Sequence, residues 1–484
     1  MSEVGELTET TGLGTGPAAL IGDRELVDGA PIPVINPFTD REIGATREAG
    51  KDVVDEAVAA AANALPAWAQ TPPAQRAAVL RATADLIDRR GDRIAALVTA
   101  EMGMPTTLAT ATQQALPATV LRATADATES FPWEQVADGA IVRRVAGGVV
   151  AAITPWNMPV HQIIAKVAAA LAAGCTVVLK PAEATPFDAA LVRGCFIDAG
   201  LPAGAFAIVN GTGPITGQAL AAHPDIAHVS FTGSVHGGKA VATAAAESLA
   251  RTTLELGGKS PAVVLPDADL DAVVPRILAS GLVNSGQACN ATTRLVVPAA
   301  SADRIEALID AALGRFVFGD PTAPDTTHGP LASAAHAQRV LDRIDETRQV
   351  GARVIAGAGE RLDIGDSRSF VSPIVFGDLD PTAAAVREEI FGPVLVAQYY
   401  RDVAEAITLA NDSQYGLSAE VWSADRDHAL QVAARLDVGQ VKVNGVRTRE
   451  RPAVPFGGLK NSGYGRELGA AGIAEFTEIQ AVMA

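Results

Sequence analysis

The stretch 284–294, NSGQACNATTR, holds Cys289, one of three cysteines in the chain. Its neighbours are small or carry amides: Ser285, Gly286, Gln287, Ala288 and Asn290. A cysteine kept for packing sits among bulky apolar residues. Small neighbours instead leave room for a substrate to reach the sulfur, and amides and backbone N–H groups can steady a thiolate or an oxyanion. The competing reading is a buried free cysteine at a strand–helix junction. Glu255, in LELGG, ends its run between Leu254 and Leu256 beside two glycines. An acid so placed acquires a raised pKa and suits a general base, or else caps a turn. Asn157, in TPWNMP (154–159), follows an apolar strand and offers an amide donor, or else serves the turn next to Pro159.

Two further motifs point to phosphate and ribose. Gly213 lies in GTGPITG (211–217) and Gly233 in FTGSVHGG (231–238). Each Gly-rich turn follows a strand and precedes a helix, which puts N–H groups and a positive dipole where a phosphate can sit. Neither is the GxGxxG of a common dinucleotide fold, and no GK[ST] follows. Lys180 and Glu183, in LKPAE, stand where an apolar strand ends. Open α/β sheets bind ligands there, and a carboxylate can accept from ribose hydroxyls; the plainer alternative is a solvated ion pair. The seven histidines show no HExxH or other ligand spacing, so no metal site is expected.

Strand–helix alternation must position these residues. Residues 140–154 alternate and then run apolar, as strands do, and a helix follows over 159–173. CTVVLKP then reads as a buried strand, 186–199 as helix, 205–211 as strand and 214–222 as helix. The strands 227–233 and 251–258 flank a helix over 237–248. The pattern resumes after Cys289 with the strand 294–298 and a helix over 301–316. Such alternation predicts parallel α/β sheets in two units that meet between residues 255 and 289. Residues 25–45 suit edge strands, and helices are expected over 51–65, 73–90 and 92–102.

Bulk properties exclude several classes. At 48% hydrophobic and 19% charged, 484 residues make a globular chain of two or three domains. A net charge of −17 offers no electrostatic footprint for nucleic acid or an anionic membrane. Residues 145–165 are broken by glycines, prolines and amides, so no membrane span is expected. Cys175, Cys195 and Cys289 are odd in number and far apart, which fits a reducing cytoplasm. Residues 1–16 lack the features of a signal peptide and read as a frayed tail.

TPWNMP, LKPAE, FTGS, LELGGKSP, GQACNA, EEIFGPV (388–394) and PFGGLKNSGYGRELG (455–469) occur in this order over nearly the whole chain, which resembles the aldehyde dehydrogenase superfamily. The resemblance implies a two-domain α/β fold with a small oligomerisation hairpin. It implies an NAD-binding domain from 1–130 and 147–256, a catalytic domain from 257–455, and bridging segments 131–146 and 466–484 that make homodimers or homotetramers. It implies oxidation of an aldehyde by NAD, with NADP possible, through a thiohemiacetal and thioester on Cys289. Glu255 matches the general base and Asn157 the oxyanion donor, with Lys166 and Glu467 as a proton relay behind the base. Lys180 and Glu183 match contacts to the adenine ribose, and Gly213, Phe231, Gly233 and Ser234 the pyrophosphate region. Ile153, Thr154, Trp156 and Leu256 match the cofactor wall, and Glu389 and Phe391 the nicotinamide-ribose side.

Met158 stands where Phe is usual, and Asn290 follows the cysteine; both bear on the substrate tunnel. With 4% aromatic residues, an aliphatic tunnel for a medium-chain or terpenoid aldehyde or a semialdehyde is expected. Glu183 predicts NAD over NADP, tempered by Lys180, which could swing to neutralise an added phosphate. Three alternatives stay open: a CoA-acylating relative, a cofactor-free thiol hydrolase, and a non-catalytic binding or structural protein on the same fold.

Overall fold

The computed structural model describes residues 13–446 and 451–483. Its centre is an eight-stranded sheet ordered Arg24–Leu26, Ala19–Ile21, Phe206–Val209, Thr176–Lys180, Val149–Ile153, Ile226–Thr232, Arg251–Glu255 and Gly463–Tyr464. The five middle strands are parallel, and the outer pairings are antiparallel. The chain moves outward from Val149–Ile153 through two strands, then returns to its other side with Ile226–Thr232. The sheet therefore reverses direction between those two strands, which is where open α/β sheets leave a crevice.

Both faces of this sheet are covered. Val150, Ala152, Val177, Leu179 and Ile208 pack toward the helices Pro73–Arg89, Leu116–Ser130, Pro159–Ala173 and Pro186–Asp198. Their alternates Ala151, Val178, Ala207 and Val209 pack toward Lys51–Ala69 and Val235–Ala246. Burial on both faces explains why the strands read as apolar runs without alternation.

A second sheet follows directly. Gly257 and Gly258 lie between Glu255 and the strand Ser260–Val264, so the two units meet at residues 256–259. This sheet is ordered Arg353–Gly357, Ile374–Gly377, Val394–Tyr400, Thr292–Pro298, Ser260–Val264, Ser418–Trp422 and Gln440–Val443. All of its pairings are parallel except that of the first strand. The chain then crosses back, and Gly463 pairs with Glu255 in the first sheet. A three-stranded sheet of Glu134–Ala137, Ala140–Ala146 and Thr477–Val482 stands apart from both.

The 140–154 stretch forms two strands in different sheets, broken at Gly147–Gly148, where Gly148 adopts φ +134 and a Cβ would meet Ala227 Cβ at 2.6 Å. Two expectations are corrected. The helix expected over 51–65 continues through Pro66 to Ala69. The helix expected over 214–222 opens with a widened turn, Gly213–Gly217. Among the described residues no helix is long and apolar enough to cross a membrane, and no three His, Cys, Asp or Glu side chains cluster to hold a metal.

Candidate functional site

Cys289 is held by an unusual turn. Asn284, Ser285 and Gly286 take φ of 52°, 56° and 79° in succession. A left-handed conformation costs a non-glycine residue about 1–2 kcal/mol, so this loop needs external ties. Asn157 Nδ2 donates to Gln287 O at 3.0 Å, and Asn284 Nδ2 donates to Asn157 O at 3.1 Å. Gln287 Nε2 donates to Asn284 O at 3.0 Å while its Oε1 accepts from Ala332 N at 2.9 Å. Ser285 Oγ donates to Gly329 O at 2.7 Å. Only glycine fits at 286, where a Cβ would lie 2.2 Å from Gly392 O.

Gln287, one of the two amides beside Cys289, is spent holding the loop, and among the described residues no hydrogen bond reaches Cys289 Sγ. Burial, with Glu389 and Glu255 adding to it, pushes the Cys289 thiol up to about 12. The resting sulfur is therefore protonated, and a nearby base must take that proton before it becomes nucleophilic.

Glu255 is the candidate for that base. It ends the strand Arg251–Glu255, is buried, and among the described residues neither carboxylate oxygen has a hydrogen-bond partner. Burial raises its pKa well above the carboxylate range, Glu467 raises it further, and Lys166 and Arg466 pull it down. Gly457 packs against it, since a Cβ there would lie 2.8 Å from Glu255 Oε1. Behind it, Lys166 Nζ binds Glu467 Oε1 and donates to Thr232 Oγ1 at 2.5 Å, all three side chains buried. Fold closure thus brings Asn157 to the Cys289 loop and Lys166 and Glu467 to the surroundings of Glu255.

The remaining candidates gather where the parallel strands of the first sheet end. Ile153 pairs with Phe231 across the switch point, and Thr154 and Trp156 follow it. Gly233 and Ser234 lead into the helix Val235–Ala246, where Ser234 Oγ accepts from Gly237 N at 3.1 Å. The Phe231 ring lies over Gly233 and Gly237, and Leu256 packs on Gly238, so these glycines make room for neighbouring side chains. Gly213 is exposed, with no atom within 4 Å of where a Cβ would stand. Trp156 meets Phe391 edge to face at 5.6 Å. Glu389 accepts from Gly258 N at 3.1 Å, and burial pushes its carboxyl up to about 7.

Lys180 corrects another expectation. It is buried, and its Nζ donates to Pro181 O and Gly211 O, both at 2.7 Å. Tied to two carbonyls, it is not free to swing toward an added phosphate. Glu183 is exposed, 3.8 Å from that ammonium.

Sequence reasoning missed several residues. Asn284 left no signal beyond its amide, because its φ is imposed by the fold. His336 Nε2 donates to Phe391 O at 2.8 Å and meets the Trp156 ring edge-on at 5.5 Å, beside Phe391 in its φ +58 conformation. Lys259, within LELGGKSP, is fully buried with no hydrogen-bond partner for its Nζ among the described residues, and burial lowers it to about 7. A cavity of about 190 Å³ opens beside Cys289, lined by Ala288, Asn290, Met158, Leu108, Leu116 and Val283 among others.

A half-buried thiol and a buried acid without a hydrogen-bond partner among the described residues stand between two largely parallel sheets, beside a switch-point crevice. The aldehyde dehydrogenase family model matches residues 26–482. The 3-succinoylsemialdehyde-pyridine dehydrogenase of a Pseudomonas species is 43% identical, over 93% of this chain and 94% of that one. The geranial dehydrogenase of Castellaniella defragrans is 41% identical, over 93% and 94%. The solved structure of aldehyde dehydrogenase C from Pseudomonas syringae, a cysteine-to-alanine mutant with NAD+ and octanal, superposes with a TM-score of 0.94 at 40% identity, covering 96% of each chain. This chain belongs to the aldehyde dehydrogenase family.

Proposed function

We propose that this protein oxidises an aliphatic aldehyde to its carboxylic acid with NAD+, using Cys289 as nucleophile and Glu255 as base. The observation that carries the residue assignment is Glu255: buried, unpartnered, and close enough to Cys289 for its charge to raise the thiol. Its raised pKa makes it a stronger proton acceptor than an ordinary carboxylate. The Cys289 thiolate attacks the aldehyde carbon, and the second N–H of Asn157 together with backbone N–H holds the oxyanion. NAD+, when bound, accepts the hydride. Glu255 then removes a proton from the water that releases the acid from the Cys289 thioester, and Lys166 with Glu467 passes that proton outward.

The crevice fits the cofactor. Glu183 is an exposed acid able to accept from ribose hydroxyls, Gly213 leaves open space at a helix start, and Gly233–Ser234 opens a longer helix toward the same edge. Ile153, Thr154, Trp156, Phe231 and Leu256 would form its wall, and Glu389 and Phe391 its nicotinamide side. The first sheet is then the cofactor domain and the second the catalytic one. Thr477–Val482 with Ala140–Ala146 makes a bridging sheet whose exposed Val136 and Ile479 suit a homodimer or homotetramer interface. Three unpaired cysteines fit the cytoplasm.

Because relatives at 41–43% identity are named for a pyridine semialdehyde and for geranial, the substrate is proposed as a medium-chain aliphatic aldehyde or semialdehyde. The test is absorbance at 340 nm with NAD+ and an aldehyde panel, with and without CoA. NADH formation without CoA supports hydrolysis, strict CoA dependence indicates acyl transfer to CoA, and no NADH sinks the reading. Glu255→Gln should give a burst near one NADH per site and then slow turnover. Loss of the burst itself would mean that Glu255 chiefly activates Cys289.

A further inference from the structure

The cavity beside Cys289 is not uniformly apolar. Arg276, Ser280, Glu420, Trp422 and Lys442 line it together with the aliphatic residues already named. They form a built cluster. The Arg276 guanidinium lies over the Trp422 ring, 4.8 Å from its centroid, and Arg276 Nη2 donates to Asn444 O at 3.3 Å. Gly445 makes room for this stack: at φ +75, a Cβ there would meet Trp422 Cη2 at 2.5 Å and Arg276 Nη2 at 3.0 Å. Glu420 is buried, and both of its oxygens are taken, one by Ser280 Oγ at 2.6 Å and the other by Trp422 Nε1 at 3.0 Å.

Charge makes this cluster informative. In a chain of net charge −17, most arginine contacts of the ionic kind run to surface carboxylates. Arg276 is different: among the described residues no carboxylate pairs with it, although it lines a cavity that reaches the residues flanking Cys289. A guanidinium carries five N–H donors in a planar fork that matches a carboxylate. Among the described residues only one of them is used, on Asn444 O. Stacking on Trp422 fixes the plane of the fork, so little rotamer entropy is lost when an anion docks.

We infer that Arg276 binds an anionic end of the substrate, so that the preferred aldehydes are ω-oxo acids, with an aliphatic chain between the aldehyde at Cys289 and a carboxylate at Arg276. Leu108, Leu116, Met158 and Val283 would enclose the chain. This rests on the dehydrogenase reading above and narrows it from aliphatic aldehydes in general to semialdehydes with a free carboxylate.

The experiment measures kcat/KM with NAD+ for unbranched alkanals and for ω-oxo acids of matched length, in wild type, Arg276→Gln and Arg276→Lys. The readout is the ratio of oxo acid to alkanal at each length, in which a general loss from altered folding cancels. A charge-assisted fork is worth roughly tenfold or more in affinity. The wild-type ratio should therefore exceed about ten at the best length. Arg276→Gln should bring it close to one, chiefly through KM of the oxo acid, and Arg276→Lys should leave it between the two. A wild-type ratio at or below one at every length, or a ratio that Arg276→Gln does not change, would overturn the inference while the dehydrogenase reading stands. Oxidation of neither series would overturn that reading, and the inference with it.

Discussion

Glu255 and Glu183 stand at the same edge of the same sheet and have opposite surroundings. Glu255 is the last residue of one parallel strand, buried, with no partner for either oxygen. Glu183 lies three residues past the end of another, exposed and 3.8 Å from an ammonium. Burial holds the first as a proton acceptor of raised affinity, while exposure leaves the second open to accept hydrogen bonds from a ligand. Residue type and strand position do not separate the two. The returning C-terminal segment does, because Gly457 and Glu467 flank the strand Gly463–Tyr464 that pairs beside Glu255.

The sharpest way to break this comparison is to remove what the buried acid serves. Cys289→Ala should lower aldehyde oxidation by several orders of magnitude while NAD+ binding, followed by calorimetry, survives. A mutant retaining a tenth of the wild-type rate would end the assignment of Cys289.

A smaller effect tests the field around Glu255. Its ionised form is the active one, so kcat should rise with pH through its elevated pKa. Glu467 contributes to that elevation and Lys166 opposes it. Glu467→Gln keeps an acceptor for Lys166 but removes a negative charge, so the acidic limb of the pH profile should move to lower pH. A shift of one unit is worth about 1.4 kcal/mol, or tenfold in the ionised fraction on that limb. A limb that stays in place would show that another group titrates there.

The smallest effect belongs to the exposed acid. Glu183→Ala should reduce the preference for NAD+ over NADP+, read as the ratio of kcat/KM values, on the order of threefold to tenfold, since exposure screens its interaction with a 2′-phosphate. An unchanged ratio would mean that Glu183 does not read the ribose.

Much of this was legible in the sequence for a physical reason. Strands covered on both faces read as apolar runs, as CTVVLKP did, and their alternation with helices announced parallel sheets. The resemblance in seven motifs gave the family. Features set by distant parts of the chain were not legible. Asn284 and Ser285 are left-handed where Asn157 O and Gly329 O accept from their side chains. Lys180 reads like a surface cation beside a carboxylate, yet the carbonyls of Pro181 and Gly211 bury it. The cavity wall is drawn from residues between Leu108 and Gly445, so no local window contains it.

The return of the chain to the first sheet at Gly463 has a kinetic meaning. The ion pair of Lys166 with Glu467 joins residues 301 positions apart, and everything that builds the second sheet lies between them. Closing so long a loop carries an entropic cost that grows with the logarithm of its length, and non-local contacts of this kind form late. The parallel core of the first sheet is complete at Glu255, on contacts made within its own segment. The field that tunes Glu255 is complete only after the chain has left that sheet, built another and come back.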